Sequence, residues 1–156
     1  MTAARRERDI MEIIVRRIDK TLPLPRYETP GSVGLDLAAR VDVTVKPGES
    51  ARIPLNVVVK APSGTMAGLF ARSSLFGRKG LMMANSVGVI DQDFCGNEDE
   101  IQASVFCPLQ AEAREPVVVR KGERICQLVF LSVVRGELVE VEEMPDPSRG
   151  GFGSTG

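Results

Sequence analysis

The sequence predicts an all-β protein, a sandwich or barrel with a jelly roll among the candidates. Three observations carry that expectation. Apolar residues come in bursts only a few residues long, several of them rich in Val and Ile. Turn signals built on Pro and Gly ("TPGS", "KPGE", "APSG" and "RKGE") separate the bursts at intervals of about ten residues. Only "SSLFGRKGLMMAN" has a composition suited to a helical turn, and Gly77 and Gly80 limit its length.

Taken in order, residues 1–10 ("MTAARRERDI") are charged and aperiodic and are read as a loose extension. The bursts then run "EIIVRRI", "VGLDLAA", "VDVTV", "ARIPLNVVV", "GLFARSS", "GVID", "IQASVF", "EPVVV", "RICQLVFLSVV" and "ELVEVEE", each expected as a strand. "VKPGE" from Val45 and "VRKGE" from Val119 read as one kind of corner used twice. Residues 11–144 are thus expected to form the β domain. Residues 145–156 hold nothing with which to build a core and read as an arm.

A chain of 156 residues, 43% hydrophobic and 26% charged, can bury one ordinary core and is read as one domain. Its formal charge of −1 and lack of a long basic stripe make nucleic acid an unfavoured partner. No apolar run approaches the roughly 18–20 residues of a spanning helix, and no secretory signal order opens the chain. A cytoplasmic protein without a membrane partner is therefore expected. The 3 cysteines include no C-x-x-C pair and read as free thiols. With 0 histidines, Ser-His-Asp triads, Cys-His pairs and His-ligated zinc are excluded. Chemistry must come from carboxylates, basic side chains, backbone amides or a hard cation.

Four stretches could supply it. "RGGFGSTG" is either a solvated terminus or a cover for phosphate oxygens. In the second case Arg149, Ser154, Thr155 and glycine amides act as donors and Phe152 as a flat cap over a ring. "ARSSLFGRKG" sets Arg72, Ser73 and Ser74 after an expected strand at Gly68 to Ala71, as an ordinary surface or a phosphate contact. In "ANSVGVIDQDFCG", Asp91 and Asp93 lie two apart and share a face if the segment is extended, with the apolar run before Asp91 holding it near the interior. They are either a carboxylate site that orients water or two acids at a hairpin turn. "KGERICQLVF" places polar Arg124 and Gln127 on the most apolar strand, where buried groups need partners.

In this order the blocks "PGSVGLDLAA", "ARSSL", "NSVGVIDQDFCG", "KGERICQLVF" and "RGGFGSTG" resemble the homotrimeric dUTPase family, over almost everything after Met11. The resemblance implies a jelly-roll-like distorted β-barrel assembled as a homotrimer with C-terminal arm exchange. Each active site would be built from three chains and closed by one arm. The implied reaction is hydrolysis of dUTP to dUMP and pyrophosphate, limiting uracil in DNA and supplying dUMP for thymidylate synthesis. By motif, Asp91 would position the attacking water. Arg72, Ser73, Ser74, Arg149, Ser154 and Thr155 would bind the phosphates. Phe152 would stack on uracil, Asn85, Val89 and Ile90 would read the base, and Gln102 would approach the nucleoside. Asp36 and Gln127 would hold waters of Mg²⁺. Phosphoryl transfer needs mainly positioning and charge neutralisation, so the absence of histidine costs nothing essential. Oxygen ligands favour Mg²⁺ over zinc.

Two departures stand out. Phe94 occupies a position where the family usually has tyrosine; its ring would still pack beneath the deoxyribose, with sugar discrimination surviving in softened form. "GNEDEIQ" lengthens a hairpin through Glu98, Asp99 and Glu100, as an acidic loop tip or as a change to the base pocket's mouth or its affinity for cations. The rivals are a dCTP deaminase or its bifunctional form, which needs a glutamate on the strand that here reads "IQASVF", and a non-catalytic nucleotide-binding trimer.

Overall fold

The computed structural model describes residues 11–109 and 115–150. The strands are β1 (Ile14–Arg17), β2 (Leu35–Ala38), β3 (Val43–Val45), β4 (Ser50–Pro54), β5 (Val57–Lys60) and β6 (Thr65–Ala71). After the helix α1 (Ser74–Lys79) come β7 (Met82–Met83), β8 (Gly88–Ile90), β9 (Gln102–Phe106), β10 (Val117–Val119) and β11 (Arg124–Ser132). Partners come from distant parts of the chain: β2-β11-β6-β8 and β4-β9-β7 form sheets, while β3 pairs with β10 and β1 with β5. Every pairing is antiparallel. This is the expected all-β barrel of jelly-roll kind.

Local chemistry explains the elements. In β9 the side chains of Ala103 and Val105 are wholly buried while Gln102 faces out, the period of two that a half-buried strand requires. In β11 a register shift between Arg124 and Cys126 turns the consecutive residues Ile125 and Cys126 both inward. Leu37, Ile53, Leu69, Val105, Val119 and Leu128, contributed by six different strands, are each at most 1% exposed and meet in one core. Truncating any of them to alanine costs about 2–5 kcal/mol if the cavity stays open.

The two similar corners are built alike. Glu49 N donates to Lys46 O and Glu123 N to Arg120 O, each at 3.0 Å. Gly48 (φ 80°) and Gly122 (φ 84°) hold the third position, which L side chains resist. The strands entering these corners pair with each other, Val117 with Val45 and Val119 with Val43.

The structure differs from the sequence expectations in three elements. "ARIPLNVVV" is two strands, broken at Asn56, whose φ of 68° interrupts the extended run. The helical-turn composition yields only α1, because Gly80 turns left-handed (φ 65°) and returns its N–H to Phe76 O; Met82–Met83 then joins a sheet. "ELVEVEE" forms no strand: β11 ends at Ser132, and Leu138 and Val139 beyond it are 98% and 80% exposed. A strand needs a ladder partner, and the described residues of this chain offer that segment none.

Candidate active site

The first half of the site follows from strand register. β2 and β11 bring Asp36 directly opposite Gln127, and β6 runs along the other side of β11, delivering Arg72 at its end. Asp36, Arg72, Ser73 and Gln127 therefore line one cleft of about 280 Å³ with Glu28, Ser32, Val33 and Gly34. Arg72 Nε is 3.1 Å from Asp36 Oδ1, and Arg124 is 3.3 Å from Asp36 Oδ2. Arg72 also donates to Arg124 O at 3.2 Å, and Arg124 to Glu28 Oε1 at 2.7 Å. Gln127 Nε2 donates to Ala71 O at 3.2 Å, which fixes the amide plane. A Cβ at Gly34 would sit 2.5 Å from Gln127 Oε1, so a larger residue there would push that amide out of its place in the cleft.

Ser73 stands before the first turn of α1 and makes no side-chain capping bond, leaving its hydroxyl uncommitted. Ser74 lines an adjoining cleft with Arg72, Arg78, Lys79, Glu123 and Arg124. There Lys79 is 2.7 Å from Glu123 and donates to Val118 O. Burial works to raise the Glu123 pKa, but the Lys79 ammonium and the Arg120 amide outweigh it and hold the carboxyl below its usual range.

The second half lies elsewhere. Asp91 and Val89 line a cleft of about 560 Å³ with Thr65, Met66, Gln92, Asp93, Val133 and Arg135. Ile90 pairs with Ala67, and Asp91 follows it, whereas Arg72 follows Ala71 at the opposite end of β6. At about 3.3 Å per residue the two are separated by roughly 15–20 Å along the strand. One chain does not bring Asp91 to the Arg72 cleft. Asp91 is exposed rather than held near the interior, and with Asp93 it sits in a turn after β8, closed by Phe94 N donating to Asp91 O at 3.3 Å. The apolar Val-Gly-Val-Ile run is spent on pairing with β6, which ends before the carboxylate.

Asn85 is exposed in the turn between β7 and β8, Phe94 is 41% exposed in the loop before β9, and Gln102 opens β9 opposite Pro54. Arg149 is exposed beyond β11. Phe152, Ser154 and Thr155 lie outside the described residues. The segment with Glu98, Asp99 and Glu100 is not the expected hairpin, since β8 and β9 belong to different sheets, and Glu100 is no part of a loose tip. Its carboxylate takes Arg40 Nε at 2.7 Å and a second guanidinium nitrogen at 2.9 Å, accepts the Asn56 N–H at 2.9 Å, and is only 11% exposed. Sequence reading missed this pair and also missed Glu28. The contacts that matter carry no local signal, because Glu100 meets Arg40 and Glu28 meets Arg124 far away in the chain; the nearby Arg26 stands at 3.7 Å from Glu28.

The donor set near Asp36 suits a hydrated hard cation. No cluster of three or more potential ligands exists among the described residues, so no all-protein cage forms there. A carboxylate and an amide oxygen side by side fit water-mediated contact with Mg²⁺ carried on phosphates, and each Asp36 oxygen retains acceptor capacity beyond its arginine.

The model of the dUTPase family matches residues 20–156. The chain is 42% identical over 151 residues to the deoxyuridine 5'-triphosphate nucleotidohydrolase of Desulfitobacterium hafniense (strain DSM 10664 / DCB-2), over 94% of this chain and 95% of that protein. It is 40% identical over 148 residues to the enzyme of the same name from Thermobifida fusca, over 94% of this chain and 79% of that protein. The crystal structure of dUTPase from Streptococcus mutans matches with TM-score 0.69 and 31% identity, over 79% of this chain and 98% of that one. Strand register that seats Asp36, Arg72, Ser73 and Gln127 in one cleft, and a family match running through the final glycine, lead to one conclusion: the chain belongs to the dUTPase family.

Proposed function

We propose that this protein hydrolyses dUTP to dUMP and pyrophosphate at sites shared between chains of a homotrimer. The observation that carries the reading is the convergence of Asp36, Arg72, Ser73 and Gln127 on one cleft, in a chain of the dUTPase family. Arg72, with Ser73 and Ser74, holds phosphate oxygens, and Arg149, Ser154 and Thr155 of an arm complete that contact. Asp91 of another chain orients a water against the α-phosphorus and takes its proton. The new bond joins water oxygen to the α-phosphorus as the bridge to the β-phosphate breaks, and pyrophosphate leaves with the displaced oxygen. Asn85, Val89 and Ile90 meet the base, Phe94 and Gln102 the nucleoside, and Phe152 covers the ring. Asp36 and Gln127 would hold Mg²⁺ through its waters; when bound, the ion neutralises triphosphate charge.

Two features support assembly. The roughly 15–20 Å between Asp91 and Arg72 in one chain leaves each half-site incomplete. The segment after β11 exposes Val134, Leu138 and Val139, apolar residues that an exchanged segment would bury on another copy. Three free thiols suit a reducing compartment, so we place the enzyme in the cytoplasm. The deaminase alternative lacks support, since β9 (Gln102–Phe106) carries no carboxylate.

The test is pyrophosphate release from dUTP with Mg²⁺. Asp91→Asn should lower kcat by about 10²–10⁴-fold, the range for a positioned proton acceptor, with dUTP binding retained by calorimetry. Full turnover in that variant would remove Asp91 from its role. Ammonia released from dCTP would revive the deaminase.

A further inference from the structure

We infer that Glu100, through its ion pair with Arg40, is a positioning residue that sets the nucleoside pocket and governs dUTP affinity. This rests on the functional reading above, in which Phe94 and Gln102 meet the nucleoside. No strand runs between Ile90, where β8 ends, and Gln102, where β9 begins. The place of Phe94 therefore depends on how that loop is tied down. Its own bonds are local: Phe94 N to Asp91 O at 3.3 Å, and Cys95 N to Asp93 O at 3.0 Å.

The ties to the rest of the fold lie on either side of it. Gln92 Nε2 donates to Thr65 O at 2.7 Å before Phe94. After it, Gly96 N donates to Asp99 Oδ2 at 2.6 Å, folding the acidic residues into a compact turn, and Arg16 donates to Asn97 O at 3.0 Å. Ile101, buried and bonded through its backbone to Val57 O and Leu55 N at 2.9 Å, begins the returning end, and Glu100, the residue before it, adds a side-chain anchor. Its two oxygens match the two nitrogens of Arg40 in a fork, and one of them also accepts the Asn56 N–H. Asn56 is itself buried and locked, exchanging hydrogen bonds with the backbone of Asp19 at 2.6 and 3.0 Å. A planar fork onto a buried, bonded loop fixes position and direction together, which a single flexible contact does not. Glu100 thus carries its charge inward as an anchor, and two residues on, Gln102, which the functional reading sets against the nucleoside, begins β9.

The experiment compares the full-length protein with Glu100→Ala, Glu100→Gln and Arg40→Lys, measuring kcat and KM for dUTP and UTP, Mg²⁺ dependence and Tm. Glu100→Ala should raise KM for dUTP about tenfold and narrow the preference for dUTP over UTP, with kcat changed less than about twofold, as loss of positioning without loss of chemistry requires. Glu100→Gln, which keeps the shape and the acceptor for Asn56 but loses the charge and sets an amide NH₂ against the guanidinium, should recover only a minor part of that loss. Arg40→Lys, which keeps the charge and loses the fork, should raise KM in the same direction and serves if Glu100→Ala does not fold. A lower Tm with KM and sugar preference unchanged makes the pair merely structural and overturns the inference, as does a change confined to Mg²⁺ dependence. Failure of the wild-type protein to act on dUTP would instead overturn the functional reading, so the two failures are distinct.

Discussion

Arg72 Nε lies 3.1 Å from the Asp36 carboxylate while the same guanidinium donates to Arg124 O at 3.2 Å. One planar group thus joins the end of β6 to β2 and β11 and still faces the cleft. Lysine supplies charge at a single point and lacks the planar set of donors that spans the carboxylate, the carbonyl and the cleft. Arg72→Lys should lower kcat/KM for dUTP by about 10²-fold or more, in line with loss of a preorganised charge stabiliser, with Tm little changed. Pyrophosphate release and thermal unfolding on one preparation check this.

The distance between Asp91 and Arg72 predicts complementation. Arg72→Ala and Asp91→Asn chains, each inactive alone, should regain turnover when unfolded together and refolded. If mixing is random, about a quarter of all composite sites, one in each mixed trimer, pair an intact Arg72 with an intact Asp91. No recovery beyond the sum of the separate variants would place the whole site in one chain.

Acid should weaken the fold through two carboxylates, the half-buried Asp19 and the exposed Asp42. Lys121 Nζ, donating to Asp19 at 2.6 Å, is the main cause holding that carboxyl well below its usual range, followed by the Thr21 hydroxyl and amide. The Lys121 amide and then the Arg120 guanidinium lower Asp42. Folded values below unfolded ones mean stability that is fully present above about pH 4 and drains as pH falls toward the folded values. The Tm difference between wild type and Asp19→Asn should therefore shrink from pH 7 to pH 3. A difference constant with pH would count against the Lys121 contact.

The thiols should react unequally. Burial pushes the Cys126 thiol up to about 12, and Cys107 is buried as well, whereas Cys95 is half-buried beside Phe94. Thiolate is the reactive form, so in the native protein at pH 8 a thiol reagent should label Cys95 first. Cys107 and Cys126 should follow only on unfolding. Mass mapping of labelled peptides decides it, and early modification of Cys126 would contradict its burial.

Local chemistry made much of the fold legible. Val-rich bursts became strands, Gly48 and Gly122 marked matching turns, and Gly80 stopped the helix, because propensity and turn geometry act over a few neighbouring residues. The motif blocks also named Asp36, Arg72, Ser73 and Gln127, which the structure gathers in one cleft. "ELVEVEE" misled for a physical reason: alternation records what a strand would bury, while pairing depends on a partner that the described residues of this chain do not present to it.

By itself the sequence determined the all-β class, the exclusion of histidine chemistry and the identity of the candidate groups, since these depend on residue type and short-range order. Only the tertiary structure decided that Asp36 faces Gln127, that Asp91 stands far from Arg72, and that Glu100 turns inward to Arg40. Those relations join residues distant in the chain. They are set by which antiparallel strands pair and in what register, and no local pattern encodes that choice.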